Sequence, residues 1–295
     1  MQYVGRFAPS PTGPLHAGSL VAALASYLDA RVHGGQWLLR LDDADLSRVQ
    51  AQAAQTITAQ LAHYGFQWHG AVAHTQTFRP QHATALSTLG KQGLCYACAC
   101  SRAKLAGTPP NALGERVYPR ICRNQTLAPD CVRAVRLACP EQIIELKDRW
   151  AGVQQQNVAR DVGDFVLWRP ESVTHFAGGL YNYQLTMVVD DAAQGVTHVV
   201  RGADLLGNTP RQCLLYDALG LQRPSYLHVP VVMMESGLKL SKQHGAPALP
   251  FLDPMPLLDA ALVHLGCTAT HAGHKQAFWA AAAKQWENRL SQLKQ

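Results

Sequence analysis

The sequence lacks both a long apolar segment and a leader-like start. Its first ten residues, MQYVGRFAPS, contain no cationic stretch followed by an apolar one, and the most apolar later run, Leu20–Leu28, is interrupted by Ser26 and Tyr27. A helix that crosses a bilayer needs about 20 consecutive apolar residues. The sequence therefore predicts a protein without membrane segments, and we expect it in the cytoplasm.

Internal repeats and long low-complexity tracts are also missing, and hydrophobic residues make up 47% of the 295, which excludes a disordered chain. Charged residues are few, at 16%, and 26 Lys and Arg against 20 Asp and Glu give a net charge of +6. This net charge would suit a protein that binds a polyanionic partner, but many ordinary soluble proteins carry a similar charge. The composition thus predicts one substantial core, with room for a small satellite, and does not decide the partner.

The N-terminal part alternates β-type and helical patterns. We predict a strand over Val4–Ala8, a Pro/Gly-rich turn over Pro9–Pro14 and a helix over Leu15–Val32. A second strand, Gln36–Leu41, precedes a second helix from about 48 to 65 that a glycine ends. Strands that alternate with helices form parallel sheets that bind ligands at the strands' carboxyl ends. We therefore predict an α/β fold whose site lies in the first loop.

That loop and the helix after it have the sequence RFAPSPTGPLHAGSL over residues 6–20. Gly13 and the prolines favour a tight turn, and Gly18 leaves room for a ligand to approach the backbone. The N–H groups at the start of the helix favour an anion such as phosphate. A single histidine before a helix is more typical of a cap or a packing residue, so the role of His16 depends on the residues around it.

The segment resembles the first motif of glutamyl-type class I aminoacyl-tRNA synthetases, in which His-x-Gly-His or a relative contacts ATP. Residues 239–243, KLSKQ, are similar to the Lys-Met-Ser-Lys-Ser motif of the same family. The resemblance implies catalytic roles for His16, Gly18 and Lys242. It implies an ATP site, with Mg²⁺ accompanying the nucleotide, formed by His16, Gly18, Ser19, Lys239, Ser241 and Lys242. Without the first motif, the lysines would be interpreted as a solvated basic turn.

The same resemblance implies that the amino acid is L-glutamate. Its site would be formed by Arg6, Phe7, Ala8, Pro9, Ser10, Asp42, Tyr183 and Arg201. The planar fork of arginine suits the carboxylates of glutamate. The alternative is that the tyrosine is a packing aromatic and that both arginines form structural ion pairs, with Asp190, Asp191 or Asp204.

One position departs from the family pattern. Relatives carry Glu-Asp after the second strand, whereas this chain has Asp42 and Asp43 there. Asp42 would replace a glutamate that the resemblance expects to hold the substrate ammonium, and its side chain is one methylene shorter. Either the backbone adjusts, a water molecule bridges the gap, or the amino-acid preference differs.

Three of the eight cysteines, Cys95, Cys98 and Cys100, fall within six residues. Such clustering favours metal ligation in a reducing compartment over a disulfide framework. Cys122 offers a further thiolate, and spacing alone favours Cys95 as the fourth ligand. Thiolates suit zinc, although iron–sulfur sites use the same ligands. The remaining cysteines are interpreted as small buried apolar residues: Cys131, Cys139, Cys213 and Cys267.

The Cys-x-Cys and Tyr-x-x-x-Cys pattern within residues 98–122 resembles the zinc insertion of a narrower family, the glutamyl-queuosine tRNA(Asp) synthetases. That resemblance implies a structural zinc ion held by Cys98, Cys100, Tyr118 and Cys122, since four protein ligands close a tetrahedral site. It implies that glutamate is activated as glutamyl-adenylate and transferred to the queuosine base in the anticodon of tRNA(Asp). An anticodon base lies in a single-stranded loop and can be splayed into a pocket.

The resemblance also implies a class I, Rossmann-type parallel sheet and a division of the chain, which we expect to be a monomer. We predict one half of the catalytic domain at 1–94 and the other, with the KLSKQ loop, at 181–243. A zinc-bearing insertion and connective region is predicted at 95–180, and a short helical region without an anticodon-binding domain at 244–295. The shortness of the last segment favours the anticodon loop over the acceptor end as the substrate.

Three other functions stay open. A discriminating or ordinary glutamyl-tRNA synthetase paralogue would charge a tRNA acceptor end. An activating enzyme with a small amine or thiol acceptor would release its product without RNA. A non-catalytic paralogue would bind tRNA or a metabolite, but the retention of His16 and of both lysines in the second motif argues against it.

Overall fold

The computed structural model describes residues 2–101, 103–111, 114, 116–170, 179–234, 237, 239–240 and 245–293. Strands and helices alternate along much of this part of the chain. The strands are β1 (Val4–Phe7), β2 (Gln36–Leu41), β3 (Ala73–His74), β4 (Cys95–Cys98), β5 (Ala134–Leu137), β6 (Ile143–Asp148), β7 (Gly152–Asn157), β8 (Val166–Arg169), β9 (Leu180–Tyr181), β10 (His198–Gly202) and β11 (Ser225–Val229). The helices are α1 (Ala17–Val32), α2 (Ala53–Tyr64), α3 (Arg79–Lys91), α4 (Val158–Asp161), α5 (Tyr183–Ala193), α6 (Thr209–Ala218), α7 (Met255–His264) and α8 (Lys275–Leu293).

A seven-stranded sheet forms the centre of the fold, in the order β3-β2-β1-β10-β11-β6-β7. Its neighbours run parallel, except that β7 is antiparallel to β6 at one edge. The predicted α/β fold with a mostly parallel sheet is confirmed. The antiparallel edge was not predicted; β6 and β7 are joined by a short turn, which suffices for an antiparallel pair but not for a parallel one.

The first elements follow the sequence pattern closely. β1 ends at Phe7, one residue before the predicted end, and β2 has the predicted bounds. α1 begins only at Ala17, because the preceding histidine caps it. α2 begins at Ala53, after a short 3-10 turn, and Gly65 ends it with a φ of 88°, in the left-handed region that favours glycine.

The helices after residue 244 share the main core. Trp286 of α8 is fully buried, and Trp279 packs edge-on against Tyr27 of α1 with ring centroids 4.8 Å apart. The Trp286 indole donates to the carboxylate of Asp29, also on α1. The sequence predicted a short helical region here without indicating what it packs against. In the structure, α7 and α8 cover the face of α1 that turns away from the sheet, because that face is apolar too.

A second, antiparallel sheet has the order β4-β5-β8-β9 and carries the cysteine cluster at one end of β4. The segment 95–180 therefore contributes strands to both sheets, since β6 and β7 join the main one. The division of the chain at residues 94, 180 and 243 stays a prediction.

Candidate active site

Two adjoining cavities open at the carboxyl ends of the main sheet. The smaller cavity has a volume of about 330 Å³ and lies over the ends of β1, β10 and β11 and the start of α1. The larger cavity, of about 580 Å³, lies beside it, over the residues that follow β2 and at the start of α5. The two share a wall formed by Ala8, Ser10, Thr12, Tyr183 and Leu205. These two cavities therefore lie at the position that the sequence predicted for the site.

Most of the predicted site residues line the smaller cavity. These are Arg6, Phe7, Ala8, Pro9, Ser10, His16, Gly18, Ser19, Tyr183, Arg201 and Lys239. Asp42 instead lines the larger cavity, together with Ser10 and Tyr183. Ser241 and Lys242 lie outside the described residues. The structure thus brings the described residues of the predicted ATP site into one space with most of the predicted glutamate site.

His16 is the N-cap of α1. Its Nδ1 accepts hydrogen bonds from the backbone N–H groups of Gly18, at 3.1 Å, and Ser19, at 3.4 Å. The Ser19 hydroxyl in turn accepts from the backbone N–H of His16 at 2.9 Å, which completes a capping box. Because Nδ1 is an acceptor, the neutral ring carries its proton on Nε2. His16 therefore caps the helix, as a single histidine in this position often does, and its ring also lines the smaller cavity.

Gly18 allows this ring position. A Cβ at residue 18 would lie 3.0 Å from Cε1 and 3.2 Å from Nδ1 of His16, and 3.6 Å from the backbone oxygen of Leu240. The glycine therefore lets the imidazole fold over the first turn of α1. The backbone oxygen of Leu240 is far enough away for ordinary contact with such a Cβ, so the constraint at residue 18 comes from the His16 ring.

Arg6 and Arg201 are both buried but have different partners. Arg6 donates from Nε to the two carboxylate oxygens of Asp191, at 3.1 and 3.2 Å, which is the structural ion pair expected as the alternative. Its terminal nitrogens make no hydrogen bond within the described part of the chain. Asp191 also accepts from Nη2 of Arg40 at 2.6 Å. Burial opposes ionisation of Asp191, but the two guanidinium groups outweigh it and lower the pKa of this carboxyl.

Arg201 pairs with none of the three aspartates considered from the sequence. Its Nε donates to Nε2 of His228 at 3.1 Å, and its Nη2 donates to Thr209 Oγ1 and Gln212 Oε1, each at 2.8 Å. Its Nη1 is buried and has no partner among the described residues. All these acceptors are neutral, so Arg201 forms no direct ion pair with a described residue, and the carboxylate of Asp148 is connected to it only through His228.

Ser10, Asp42 and Tyr183 lie where the cavities meet. The Ser10 hydroxyl donates to Oδ2 of Asp42 at 3.0 Å. Burial raises the pKa of Asp42 despite this hydrogen bond. Burial also raises the pKa of Tyr183, so its hydroxyl stays protonated and can donate near neutral pH.

Lys239 lies at the rim of the smaller cavity. Its ammonium group forms an ion pair with the carboxylate of Asp204, and both side chains are partly exposed. The predicted basic turn is therefore not simply solvated, because the first lysine of the second motif is held by a carboxylate of the cavity wall.

The larger cavity has a mixed polar lining. Asp45 and Arg169 lie 3.9 Å apart across it, and Arg48 adds a second guanidinium. The amides of Asn182 and Asn208 line it from the start of α5 and from the end of the turn before α6. Such a lining suits a polar ligand with both donors and acceptors.

The cysteine cluster lies apart from these cavities, on the second sheet. Three thiols, those of Cys98, Cys100 and Cys122, lie within 4.8 Å of one another and are buried. The Tyr118 hydroxyl lies 3.3 Å from the sulfur of Cys98 and 3.6 Å from that of Cys100. Cys95 is not part of the cluster; it packs against the core between the main sheet and α3, α5 and α6. The structure therefore places Tyr118, rather than Cys95, beside the three thiols.

Arg136 of β5 is a neighbour of this cluster that the sequence did not indicate. Its Nε donates to the sulfur of Cys98 at 3.2 Å, and its guanidinium lies 3.7 Å from the centre of the Tyr118 ring. Burial opposes thiolate formation, but hydrogen bonds from Tyr118 and Arg136 lower the pKa of Cys98 to about 7. A thiolate is the form of cysteine that binds metal ions.

Several buried polar residues around the site were not predicted as part of it. Asp148 and His228 form a hydrogen-bonded pair behind Arg201, and Asp190 accepts from Thr75 and His82 beneath the ion pair of Arg6. No local pattern could have indicated them, because each depends on partners from distant segments.

The helices within the described ranges offer no membrane span, because none is both long and apolar enough.

The chain is similar to known proteins over most of its length. A family model described as "tRNA synthetases class I (E and Q), catalytic domain" matches residues 2–249. The glutamyl-Q tRNA(Asp) synthetase of Thiobacillus denitrificans is 52% identical over 263 residues, which cover 89% of this chain and 85% of the relative. That of Verminephrobacter eiseniae is 48% identical over 295 residues, which cover 97% and 98% of the two chains.

Two solved structures share the fold. A glutamate tRNA ligase from Elizabethkingia meningosepticum, in complex with its amino acid, has a TM-score of 0.78 at 23% identity, and the match covers 97% of this chain but 64% of that one. A glutamate-tRNA synthetase from Elizabethkingia anophelis has a TM-score of 0.69 at 25% identity, with 83% and 53% covered. The chain thus spans less than two thirds of each solved relative. The chain belongs to the class I tRNA synthetases of the E and Q branch, a family of ATP-dependent ligases, and within it to the glutamyl-Q tRNA(Asp) synthetase family.

Proposed function

We propose that this ligase activates L-glutamate with ATP and transfers the glutamyl group to the queuosine base in the anticodon of tRNA(Asp). The observation that carries the proposal is the composition of the smaller cavity. His16, Gly18 and Lys239 of the two nucleotide motifs line the same space as Arg6 and Arg201 of the amino-acid site. The names of the relatives at 48 and 52% identity support the choice of acceptor.

In the first step, a carboxylate oxygen of glutamate attacks the α-phosphorus of ATP, glutamyl-adenylate forms and pyrophosphate leaves. Negative charge then grows on the phosphate oxygens, and fixed donors aimed at them lower the barrier. The N–H groups at the start of α1 and the Nε2–H of His16 are suitable donors. Lys239 would exchange Asp204 for a phosphate, and Lys242 would add a second cation. Mg²⁺ bound to the nucleotide would neutralise part of the remaining charge.

Glutamate binding would use the arginines in different ways. Arg201 has a buried Nη1 without a partner in the described ranges, and its hydrogen-bond partners are all neutral, so a substrate carboxylate would give it a direct ion pair. Arg6 is already neutralised by Asp191 and would contribute its terminal nitrogens as donors. The substrate ammonium would face Asp42 across the shared wall, through Ser10 or a water molecule, which compensates for the shorter side chain.

The acceptor base would enter the larger cavity. In the second step, an acceptor oxygen attacks the glutamyl carbonyl carbon and AMP leaves. The larger cavity adjoins the smaller one along Ser10 and Tyr183, so an acceptor there would lie next to the adenylate. Its amides and its charges of both signs suit a polar base splayed out of a single-stranded loop.

The cysteine cluster would hold a structural zinc ion. The ligands would be Cys98, Cys100, Tyr118 and Cys122, three soft sulfur donors and one oxygen. The fit is supported by geometry: the three buried sulfur atoms lie within 4.8 Å of one another, and the Tyr118 hydroxyl lies beside two of them. Zinc would tie the end of β4 to the segment around Tyr118, far from the reacting atoms.

The test supplies radiolabelled glutamate and ATP together with tRNA(Asp) that either contains or lacks queuosine. Of the two tRNAs, we expect label only on the one that contains queuosine. An isolated anticodon hairpin that contains the base should be labelled as well. Equal label on the unmodified tRNA would contradict the proposal and indicate charging of the acceptor end. Lys242→Ala should keep the fold but lose glutamate-dependent pyrophosphate exchange, and undiminished exchange would contradict the role of that lysine.

A further inference from the structure

Arg201 is positioned by a histidine rather than by a carboxylate. An arginine has five N–H donors and no acceptor, so the atom that faces its Nε must be an acceptor. That atom is Nε2 of His228, at 3.1 Å. His228 is 1% exposed and lies on β11, next to the strand that carries Arg201. The contact requires a lone pair, and therefore no proton, on Nε2.

Asp148 explains why Nε2 is free of a proton. Its Oδ2 accepts from Nδ1 of His228 at 2.7 Å, so the single proton of the neutral ring lies on Nδ1. Asp148 is itself held by the backbone N–H groups of Trp150 and Ala151, at 2.9 and 2.8 Å, and is 2% exposed. Burial, together with the positive charges of Arg201 and Arg6, lowers the pKa of His228 although Asp148 opposes this.

We infer that Asp148 and His228 are positioning residues for the amino-acid site. Asp148 selects the tautomer of His228, and His228 then holds the Nε edge of Arg201, so that Nη1 is left for the substrate carboxylate. The inference rests on the proposed role of Arg201 in glutamate binding. Neither Asp148 nor His228 lines the smaller cavity, so both act through Arg201 and not on the substrate.

Two substitutions of His228 separate the two hydrogen bonds. His228→Gln places an acceptor near the position of Nε2 and loses the donor near Nδ1, whereas His228→Asn keeps a donor for Asp148 and loses the acceptor. We expect His228→Asn to raise the glutamate KM in pyrophosphate exchange by about tenfold or more, because a buried donor of Arg201 loses its acceptor. The ATP KM should stay within about twofold of the wild type, and His228→Gln should have the smaller effect.

Asp148→Asn gives an independent test. The backbone N–H groups of Trp150 and Ala151 would hold the amide oxygen, so the amide NH₂ would face Nδ1 of His228. The ring proton would then move to Nε2 and oppose the Nε–H of Arg201, and the glutamate KM should rise as in His228→Asn. Tyr3→Phe is the control, because it removes a buried hydrogen bond to Asp29 that lies outside both cavities. It should leave both KM values unchanged.

The tautomer can be measured without any substrate. In ¹H–¹⁵N spectra of the histidine side chains, with His228 assigned by comparison with His228→Gln, the wild type should show a proton on Nδ1 and none on Nε2 at about pH 7. Asp148→Asn should show the opposite tautomer. A proton on Nε2 in the wild type, or His228→Asn and Asp148→Asn with a glutamate KM like that of Tyr3→Phe, would overturn the inference. If the wild type shows the expected tautomer but no glutamate-dependent exchange, the proposed function fails while the arrangement of His228 stands.

Discussion

Asp191 accepts hydrogen bonds from two buried arginines, Arg6 and Arg40. The substitution Asp191→Asn tests whether this buried pairing stabilises the folded protein and holds Arg6 in place. The side chains of Arg6 and Asp191 are each 4% exposed, and Arg40 is fully buried. Arg40 keeps a second partner, Asp190, at 3.4 Å, but Arg6 forms no other ion pair within the part of the chain that is described. The substitution keeps the shape of the side chain and removes its charge.

The expected loss in the free energy of unfolding is about 3 to 5 kcal/mol, because removing one partner leaves a buried charge uncompensated. Single domains are stable by about 5 to 15 kcal/mol, so the variant should still fold and its unfolding should be measurable. Urea unfolding followed by circular dichroism gives the value. The glutamate KM should also rise, since a neutral amide oxygen accepts from Arg6 Nε more weakly than the carboxylate does and would hold the guanidinium less firmly.

The matched control is Asp217→Asn, which breaks the ion pair between Asp217 and Arg223. These side chains are 42% and 33% exposed, and exposed pairs contribute about 0 to 1 kcal/mol to stability.

The pH dependence of the stability adds a second criterion. The pKa of Asp191 is lower in the folded protein than in the unfolded chain. The stabilisation by its carboxylate is therefore fully present at a pH above the pKa of the unfolded chain, and it is lost as the pH falls through the pKa of the folded protein. The difference between wild type and Asp191→Asn should therefore shrink below about pH 4. A destabilisation no larger than that of the control would refute the role given to burial.

Three further predictions concern the nucleotide and cysteine sites. Gly18→Ala should change stability little, because the preference of helices for alanine, about 1 kcal/mol, is offset when the new Cβ displaces the His16 ring that caps α1. Pyrophosphate exchange should fall, because the displaced ring no longer lines the cavity in the same position, and undiminished exchange would contradict this. Asp204→Asn should release Lys239 from its ion pair. The ATP KM should then fall by up to about fivefold, which corresponds to the free energy of a partly exposed ion pair. A raised ATP KM would show that the pair supports ATP binding instead. Tyr118→Phe should release zinc, measured by elemental analysis, at a lower chelator concentration than the wild type, and equal retention would exclude the phenol oxygen as a ligand.

Local features of the active site were predictable from the sequence. The strand, loop and helix that contain RFAPSPTGPLHAGSL follow one another along the chain, so their order and their turn residues already determine where the site lies. The cap at His16 involves only Gly18 and Ser19, which are its neighbours. The spacing of Cys98 and Cys100 is local in the same way. Such features need no knowledge of the rest of the fold.

The partners of the charged residues were decided only by the tertiary structure. Arg6 meets Asp191 across 185 residues, and His228 meets Asp148 across 80. The sequence allowed the same aspartates for both arginines, yet Arg201 is held by neutral acceptors. Which charges pair in a buried site depends on which strands become neighbours and how much water they exclude, and a linear pattern does not contain that information.

The same reason accounts for the remaining differences. Cys95 and Tyr118 were both possible fourth ligands, and the pairing of β4 with β5 turns Cys95 toward the core and leaves Tyr118 beside the thiols. The helices α7 and α8 were predicted as helices, but their packing on α1 depends on an apolar face that is visible only once the sheet covers the other one. Motif and periodicity therefore determined the type of fold and the position of the site, whereas tertiary packing decided the charge state and the partners of its residues.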